Sequence, residues 1–243
     1  MQPGPVPLWF QIADRLNKAI KRGEFSPGEK LPSESELNRQ FGVSRTTART
    51  ALDWLEGEGH ILRRSGKGSI VLPPVVDQPL KVLSGFAEDM RARGLQPSYR
   101  TLAVVEVPAS AAVAEALNGT AGMSVIAIDR LLLADGYPIG VSLAILSPTT
   151  VPIARAPTIA ELDSGSLYEW LERACGTRLV SGEEFIEAAV ADPAMSKALQ
   201  VSVGAPVLVA RRTSRTADGV PVEYVVLHYR ADRYRFRVEL VRP

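Results

Sequence analysis

The chain has little of what most catalytic and structural chemistry requires. Its 243 residues include one cysteine, Cys175, and two histidines, His60 and His228. A single cysteine closes no internal disulfide and builds no cysteine-rich metal site. Nothing else assembles a metal site, so no metal and no cofactor are expected. No apolar run approaches the roughly 18 residues of a membrane span, and the opening MQPGPVPLWF lacks the apolar region of a secretory signal. A cytoplasmic protein with no membrane partner is expected. Neither charge is in excess, with 28 Lys+Arg against 27 Asp+Glu. What is present is 46% hydrophobic and 23% charged, the balance of a globular chain with a proper core. That balance excludes disorder, collagen and a coiled-coil rod, and the length suits one large domain or two small ones.

The near-neutral total divides unevenly. Residues 1–76 hold 11 Lys+Arg against 8 Asp+Glu, giving +3, and the remainder carries −2. The sign suits a basic head that meets an anion and a body that does not.

The first 72 residues read as three helices and a hairpin. Leu8, Ile12, Leu16, Ala19 and Ile20 recur at helical spacing until Gly23. Ser33 and Glu36 form a Ser-x-x-Glu capping box for a second helix, which carries Leu37 and Phe41 inward and stops at Gly42. Ser44 is the natural N-cap of a third. Residues 61–64 and 69–72, separated by Ser65-Gly66-Lys67-Gly68, read as a hairpin. The proline-rich stretch 73–79 reads as an extended linker. Beyond it, helical patterns cover about 82–93, 110–117, 166–174 and 193–199. Strand patterns cover about 98–107, 124–134, 137–146, 178–192, 206–216, 221–230 and 234–241. Asp135-Gly136 and Asp218-Gly219 each sit between two apolar strands, the strongest short-range hairpin signal. Hairpins imply antiparallel pairing, so the second half is α+β rather than doubly wound. The expected division is 1–72 for the head, 73–79 for the linker and 80–243 for the second domain.

The second and third helices have the layout of a helix-turn-helix. Ala48, Ala51, Leu52 and Leu55 make one buried stripe on the third helix, which leaves Arg45, Thr46 and Arg49 on its outward first turns. Arginine there can hold guanine O6 and N7 with two hydrogen bonds, and threonine can meet a phosphate or a thymine methyl. The glycine-flanked Lys67, with Arg63 and Arg64 beside it, forms a wing that contributes salt-sensitive, sequence-independent affinity. Each feature alone is a common solvated surface; together they favour double-stranded DNA as the partner.

Pro7-Leu8-Trp9-x-Gln11-Ile12, Pro27-Gly28-x-x-Leu31-Pro32-Ser33-Glu34-x-Glu36-Leu37, Val43-Ser44-Arg45-Thr46-Thr47-x-Arg49-x-Ala51-Leu52 and Gly66-Lys67-Gly68 resemble the winged helix-turn-helix of GntR-type bacterial transcription regulators. The resemblance implies a homodimer on a short palindromic operator. It places Ser33, Glu34, Ser44, Arg45, Thr46, Thr47, Arg49, Arg63, Arg64, Gly66, Lys67 and Gly68 in the DNA-binding set.

The remainder resembles the HutC branch of that family through Asp129-Arg130-Leu131, Asp135-Gly136-x-Pro138-Ile139, Ser166-Leu167-Tyr168, Gly219-x-Pro221-Val222-Glu223-Tyr224 and Tyr229-Arg230-x-Asp232-Arg233-Tyr234. That branch carries a UTRA effector domain of chorismate-lyase-like fold. The resemblance implies a small-molecule sensor whose pocket is lined by Arg130, Ser166, Tyr168, Glu223 and Tyr229 and closed by the backbone from Ser84 to Phe86. Sugar-phosphate-sensing relatives have a second arginine where this chain has Leu132, and a glutamate near Val141-Ser142-Leu143. Loss of one bidentate grip points to a monoanion or a mostly apolar effector rather than a doubly charged phosphate.

Two rivals stand beside this ligand-responsive repressor. An effector-independent dimeric regulator would close the pocket with apolar side chains. An enzyme of lyase-like fold would need groups that the chain supplies poorly. His60 lies beyond the third helix, Cys175 has no evident partner, and Glu183 and Glu184 point to opposite faces of a strand.

Overall fold

The computed structural model describes residues 5–64 and 68–242. The chain divides into two compact units, one ending at Val75 and the other starting at Val76.

In the first unit, α1 (Leu8–Lys21), α2 (Glu34–Phe41) and α3 (Arg45–Gly57) precede an antiparallel hairpin of β1 (Ile61–Arg64) and β2 (Gly68–Val71). Helix α1 follows Pro7, buries Ile12, Ala13, Leu16 and Ala19, and gives way to Gly23 at φ +75°. The capping box of α2 forms as its spacing predicts. The Ser33 hydroxyl accepts from the Glu36 amide at 3.3 Å, and the Glu36 carboxylate accepts from the Ser33 amide at 2.7 Å. Gly42 then adopts the left-handed conformation that ends the helix. Leu37, Leu52, Leu55 and Ile61 are almost wholly buried with Ile12. Each contributes about 1.5–3 kcal/mol by leaving water. The expected wing tip, Ser65 with Gly66 and Lys67, lies outside the described residues.

The second unit is built on a six-stranded antiparallel sheet in the order β4-β5-β6-β9-β8-β7. Its strands are β4 (Pro97–Pro108), β5 (Ser124–Ala134), β6 (Tyr137–Leu146), β7 (Ser181–Val190), β8 (Pro206–Arg215) and β9 (Pro221–Arg230). Asp135 at φ +50° and Gly136 at φ +78° turn β5 into β6, and Gly219 at φ +77° lies in the turn from β8 to β9. Side-chain alternation gives the sheet two distinct faces. On one face Ile126, Ile128, Leu146, Ala210 and Val225 pack with Met90 of α4 (Phe86–Ala92), Leu162 of α6 (Ile159–Asp163) and Trp170 and Leu171 of α7 (Leu167–Cys175). The other face is covered in two patches, one by α5 (Ala111–Ala116) and one by α8 (Pro193–Leu199).

Several boundaries differ from the sequence expectations. The stretch 73–79 is not linker throughout. Val76–Pro79 is a strand, β3, paired in parallel with β10 (Tyr234–Arg237) inside the second unit, with Val76 fully buried. Proline density correctly signals extended chain, but an extended chain can equally join a sheet edge. The strand expected over 234–241 therefore ends at Arg237, where its partner ends at Pro79. The helix expected over 82–93 is confined to Phe86–Ala92, and the strand expected over 178–192 to Ser181–Val190. Helix α6 was not expected. It is only five residues long and is held by a Thr158–Glu161 capping box.

Candidate functional site

In the head, the N-cap of α3 is made by Ser44, whose hydroxyl accepts from the Thr47 amide at 3.1 Å and lies 2.9 Å from the Thr47 hydroxyl. Arg45, Thr46 and Arg49 are exposed on the outward side, while Ala48, Ala51, Leu52 and Leu55 are buried. The outward arginines are not equivalent. Arg49 donates from Nε and Nη2 to the two carboxylate oxygens of Glu34, each at 3.1 Å. Arg63 of β1 donates to the same Glu34 at 2.6 Å and also pairs with Asp53. Glu34 thus joins the start of α2, the recognition helix and the wing strand. Arg49, then burial acting in the opposite sense, then Arg63 set its pKa, and the net effect is downward. Arg45 and Arg64 make no ion pair among the described residues and remain exposed, as does Gly68. Ser33 is exposed and committed to its capping box. Arg63, expected as a wing cation, is partly buried and paired with the carboxylates of Glu34 and Asp53.

In the second unit, a narrow cavity of about 40 Å³ opens on the helix-covered face of the sheet. Its wall includes Phe86 from α4, Tyr99 from β4, Arg130 from β5, Ser142 from β6, Tyr168 from α7, Arg212 from β8 and Glu223 from β9. Register explains the convergence. Arg130 lies opposite Ser142 across β5 and β6, and Ser214 lies opposite Glu223 across β8 and β9. Ser166 caps α7, accepting from the Tyr168 amide at 3.2 Å, so the cap that starts the helix also places two wall residues.

The polar groups of this wall divide into a satisfied set and an unsatisfied one. Tyr168 donates to Glu223 at 3.2 Å and accepts from Arg212 at 2.8 Å, and Ser214 donates to Glu223 at 3.2 Å. Arg212 also lies 3.7 Å from Glu184. Burial alone would lower the Arg212 pKa, but Tyr168, Glu223 and Glu184 outweigh it and raise it. Burial, with Glu223 beside it, pushes the Tyr168 phenol up, so both groups keep their protons. Arg212 keeps one gap, a buried Nε without a partner, and Arg130 has more. Arg130 is 6% exposed, and its Nε and Nη1 are buried with no hydrogen-bond partner. Its guanidinium lies 4.6 Å from the centre of the Tyr99 ring, and burial lowers its pKa. Facing it, the Ser142 hydroxyl is also buried without a partner.

Five of the expected effector residues therefore meet at one cavity: Phe86, Arg130, Ser166, Tyr168 and Glu223. Two do not. Ser84 donates to Asp89 at 2.7 Å, leaving Gly85 and Phe86 at the wall. Tyr229 is buried in the core, stacked on Tyr234 with ring centres 3.8 Å apart. Tyr99, Ser142 and Arg212 were not expected. Arg212 was hidden because Arg211 precedes it, and on a strand only one of two adjacent residues faces a given side. The surrounding apolar alternation of Leu208, Ala210, Arg212 and Ser214 was the available signal.

A helix-turn-helix head with outward arginines, carried in one chain with a sheet body that encloses a polar cavity, defines a one-component DNA-binding regulator. Residues 10–71 match the family described as "Bacterial regulatory proteins, gntR family", and residues 92–235 match the UTRA domain. The chain belongs to the gntR family of bacterial regulatory proteins and is a transcription regulator with a UTRA domain, not an enzyme. It is 33% identical to the HTH-type transcriptional repressor NagR of Bacillus subtilis, over 96% of this chain and 94% of that one. It is 30% identical to the histidine utilization repressor of Pseudomonas putida, over 97% and 92% respectively. The crystal structure of PhnF from Mycobacterium smegmatis superposes with a TM-score of 0.74 at 26% identity, covering 95% of this chain and 99% of that one. Among the described residues no helix is long and apolar enough to cross a membrane.

Proposed function

We propose that the protein is a ligand-responsive cytoplasmic repressor that binds a short palindromic operator as a homodimer and loses DNA affinity when a small anionic effector occupies the body. Arg45, Thr46, Thr47 and Arg49 read or position on the operator, with Ser44 at the helix start; the wing residues Arg64, Gly66, Lys67 and Gly68 add phosphate contacts. Ser33 and Glu34 act at the start of α2, Glu34 by holding Arg49 and Arg63. In the body, Arg130 receives the anionic group. Ser142, Ser166, Tyr168 and Glu223 surround it, and Phe86 closes one side.

The observation that carries the effector reading is the buried Arg130 with two unpartnered N–H groups. A protein leaves a buried cation unmatched at a cost, and a carboxylate or comparable monoanion supplies the missing acceptors in bidentate geometry. Arg212 is a second guanidinium in the wall; Tyr168 and Glu184 engage its terminal nitrogens and leave only its Nε without a partner, whereas Arg130 has two unpartnered groups and no ion pair among the described residues. A pocket lined by two arginines and a glutamate does not suit the effector-independent rival, which needs an apolar closure.

The test is selection of bound duplexes from a random pool by the full chain, followed by titration of the selected duplex with a panel of small carboxylates and phosphate esters. The expected result is a palindrome bound far above random DNA, with affinity lowered at least tenfold by a carboxylate. Linkage requires that operator DNA weaken binding of that carboxylate by the same factor. Sequence-blind binding that salt abolishes refutes the operator reading, and indifference of the palindrome complex to every anion refutes the effector reading.

A further inference from the structure

The cavity wall carries two buried charges of opposite sign, and neither has an ion-pair partner. Arg130 is 6% exposed, with two N–H groups unanswered and no carboxylate in ion-pair contact among the described residues. Glu223 is 3% exposed. Its Oε2 accepts from the Tyr168 and Ser214 hydroxyls, each at 3.2 Å, but both donors are neutral. No lysine or arginine pairs with Glu223 among the described residues. Arg212, the other guanidinium in the wall, is turned to Glu184 at 3.7 Å and to the Tyr168 oxygen at 2.8 Å. Arg212 and Glu184 balance each other, which leaves Arg130 and Glu223 as the open pair.

Register holds that pair apart. Arg130 lies opposite Ser142 across β5 and β6, and Ser142 lies opposite Leu227 across β6 and β9. Glu223 is four residues back along β9 from Leu227, about 13 Å of strand. Both long side chains reach the wall of one cavity, and the floor between them is apolar, made by Leu227 and by Ala144 opposite Val225. A lone anion on Arg130 would answer one deficit only. It would leave Glu223 buried without a counter-ion and bring a second negative charge toward it, which burial makes unfavourable.

We propose that the effector is a zwitterion: a short amino acid whose carboxylate rests on Arg130 and the Ser142 hydroxyl and whose ammonium rests on Glu223. This rests on the reading above that Arg130 receives an anionic group, and it says what the effector carries at its other end. The donors and acceptors match. Arg130 and Ser142 hold N–H and O–H groups without acceptors, and a carboxylate supplies only acceptors. An ammonium has three donors and no acceptor, and Glu223 Oε1 accepts from none of the described residues. The apolar floor offers nothing to hydroxyls along the chain, and a cavity of about 40 Å³ keeps that chain to a few carbons. Bound in this way, the ligand adds no net charge to a buried site.

The test is isothermal titration calorimetry of the full chain with the protein amino acids, β-alanine and γ-aminobutyrate, each beside the carboxylate that lacks its amino group. At least one amino acid is expected to bind about thirtyfold or more tightly than its deaminated counterpart, the loss that follows when one member of a buried charge pair goes unmatched. Glu223→Gln is expected to erase that preference while the plain carboxylate binds at least as well as before. Addition of the preferred amino acid is expected to release the operator. A deaminated counterpart that binds as tightly as its amino acid overturns the zwitterion and leaves the anionic-effector reading standing, as does binding confined to plain carboxylates or phosphate esters. A preference that survives Glu223→Gln overturns the placement of the ammonium. Failure of every amino acid, carboxylate and phosphate ester to bind overturns both readings. The wild-type preference decides the ligand class even where Glu223→Gln fails to fold.

Discussion

Replacing Arg130 with methionine should stabilise the ligand-free protein. The guanidinium is 6% exposed, and its Nε and Nη1 have no partner. Each buried, unsatisfied donor costs about 1–3 kcal/mol. The contact with the Tyr99 ring at 4.6 Å returns about 2 kcal/mol. Methionine fills much of the same space, keeps van der Waals contact with Tyr99 and Leu132, and needs no acceptor. The balance favours Arg130→Met by about 2 kcal/mol, and for a unit of this size that raises the melting temperature by about 4–8 °C. Thermal and urea unfolding of the full chain measure it directly. The same variant should lose any stabilisation that small carboxylates give the wild type, an effect of about 2.7 kcal/mol at a hundredfold excess over Kd. Destabilisation of the ligand-free chain by more than about 1 kcal/mol would refute the reasoning, because it would mean that the guanidinium is satisfied where it lies.

Glu34→Gln should free Arg49 and Arg63 together. Affinity for random DNA rises, sequence preference falls, and the salt slope steepens by roughly 0.9 for each added phosphate contact, all readable by fluorescence anisotropy across a salt series. Gly140→Ala should cost about 1–3 kcal/mol in urea unfolding, since a Cβ there would lie 2.7 Å from the Tyr229 ring and 3.0 Å from the His228 carbonyl oxygen. Half-buried His228 has its pKa pushed down, first by burial and then by Arg211. The unfolded chain therefore binds a proton that the folded chain does not. Stability is fully present above about pH 6.5 and falls as pH drops through the folded value below it. His228→Gln should remove that part of the slope between pH 7.5 and 5, and an unchanged slope would count against it.

The head was legible almost residue by residue. Its helices are amphipathic, its caps are local, and Ser33, Gly42 and Ser44 stand where a reader of spacing expects them. The sheet was legible through its Asp-Gly turns and its alternation, whereas the pocket residues came from the family resemblance, and five of those seven converge. The rest was hidden for stated reasons. The parallel pairing of Val76–Pro79 with Tyr234–Arg237 links segments that are far apart in sequence. Helix α6 is too short to show periodicity. Tyr229 faces the core side of β9 together with Glu223, yet further along the strand it meets Tyr234 rather than the cavity. The clamp of Glu34 on Arg49 and Arg63 joins residues 15 and 29 positions apart, beyond the reach of any local rule.

The narrowness of the cavity has a kinetic consequence. At about 40 Å³ it holds roughly three water molecules, less than any ligand with a carbon skeleton of several atoms. If Phe86 or Tyr168 must move to admit a molecule to Arg130, the observed on-rate levels off at the opening rate as ligand concentration rises. For the effector response proposed above, the lag between addition of the ligand and loss of DNA affinity would then be set by that opening step rather than by diffusion.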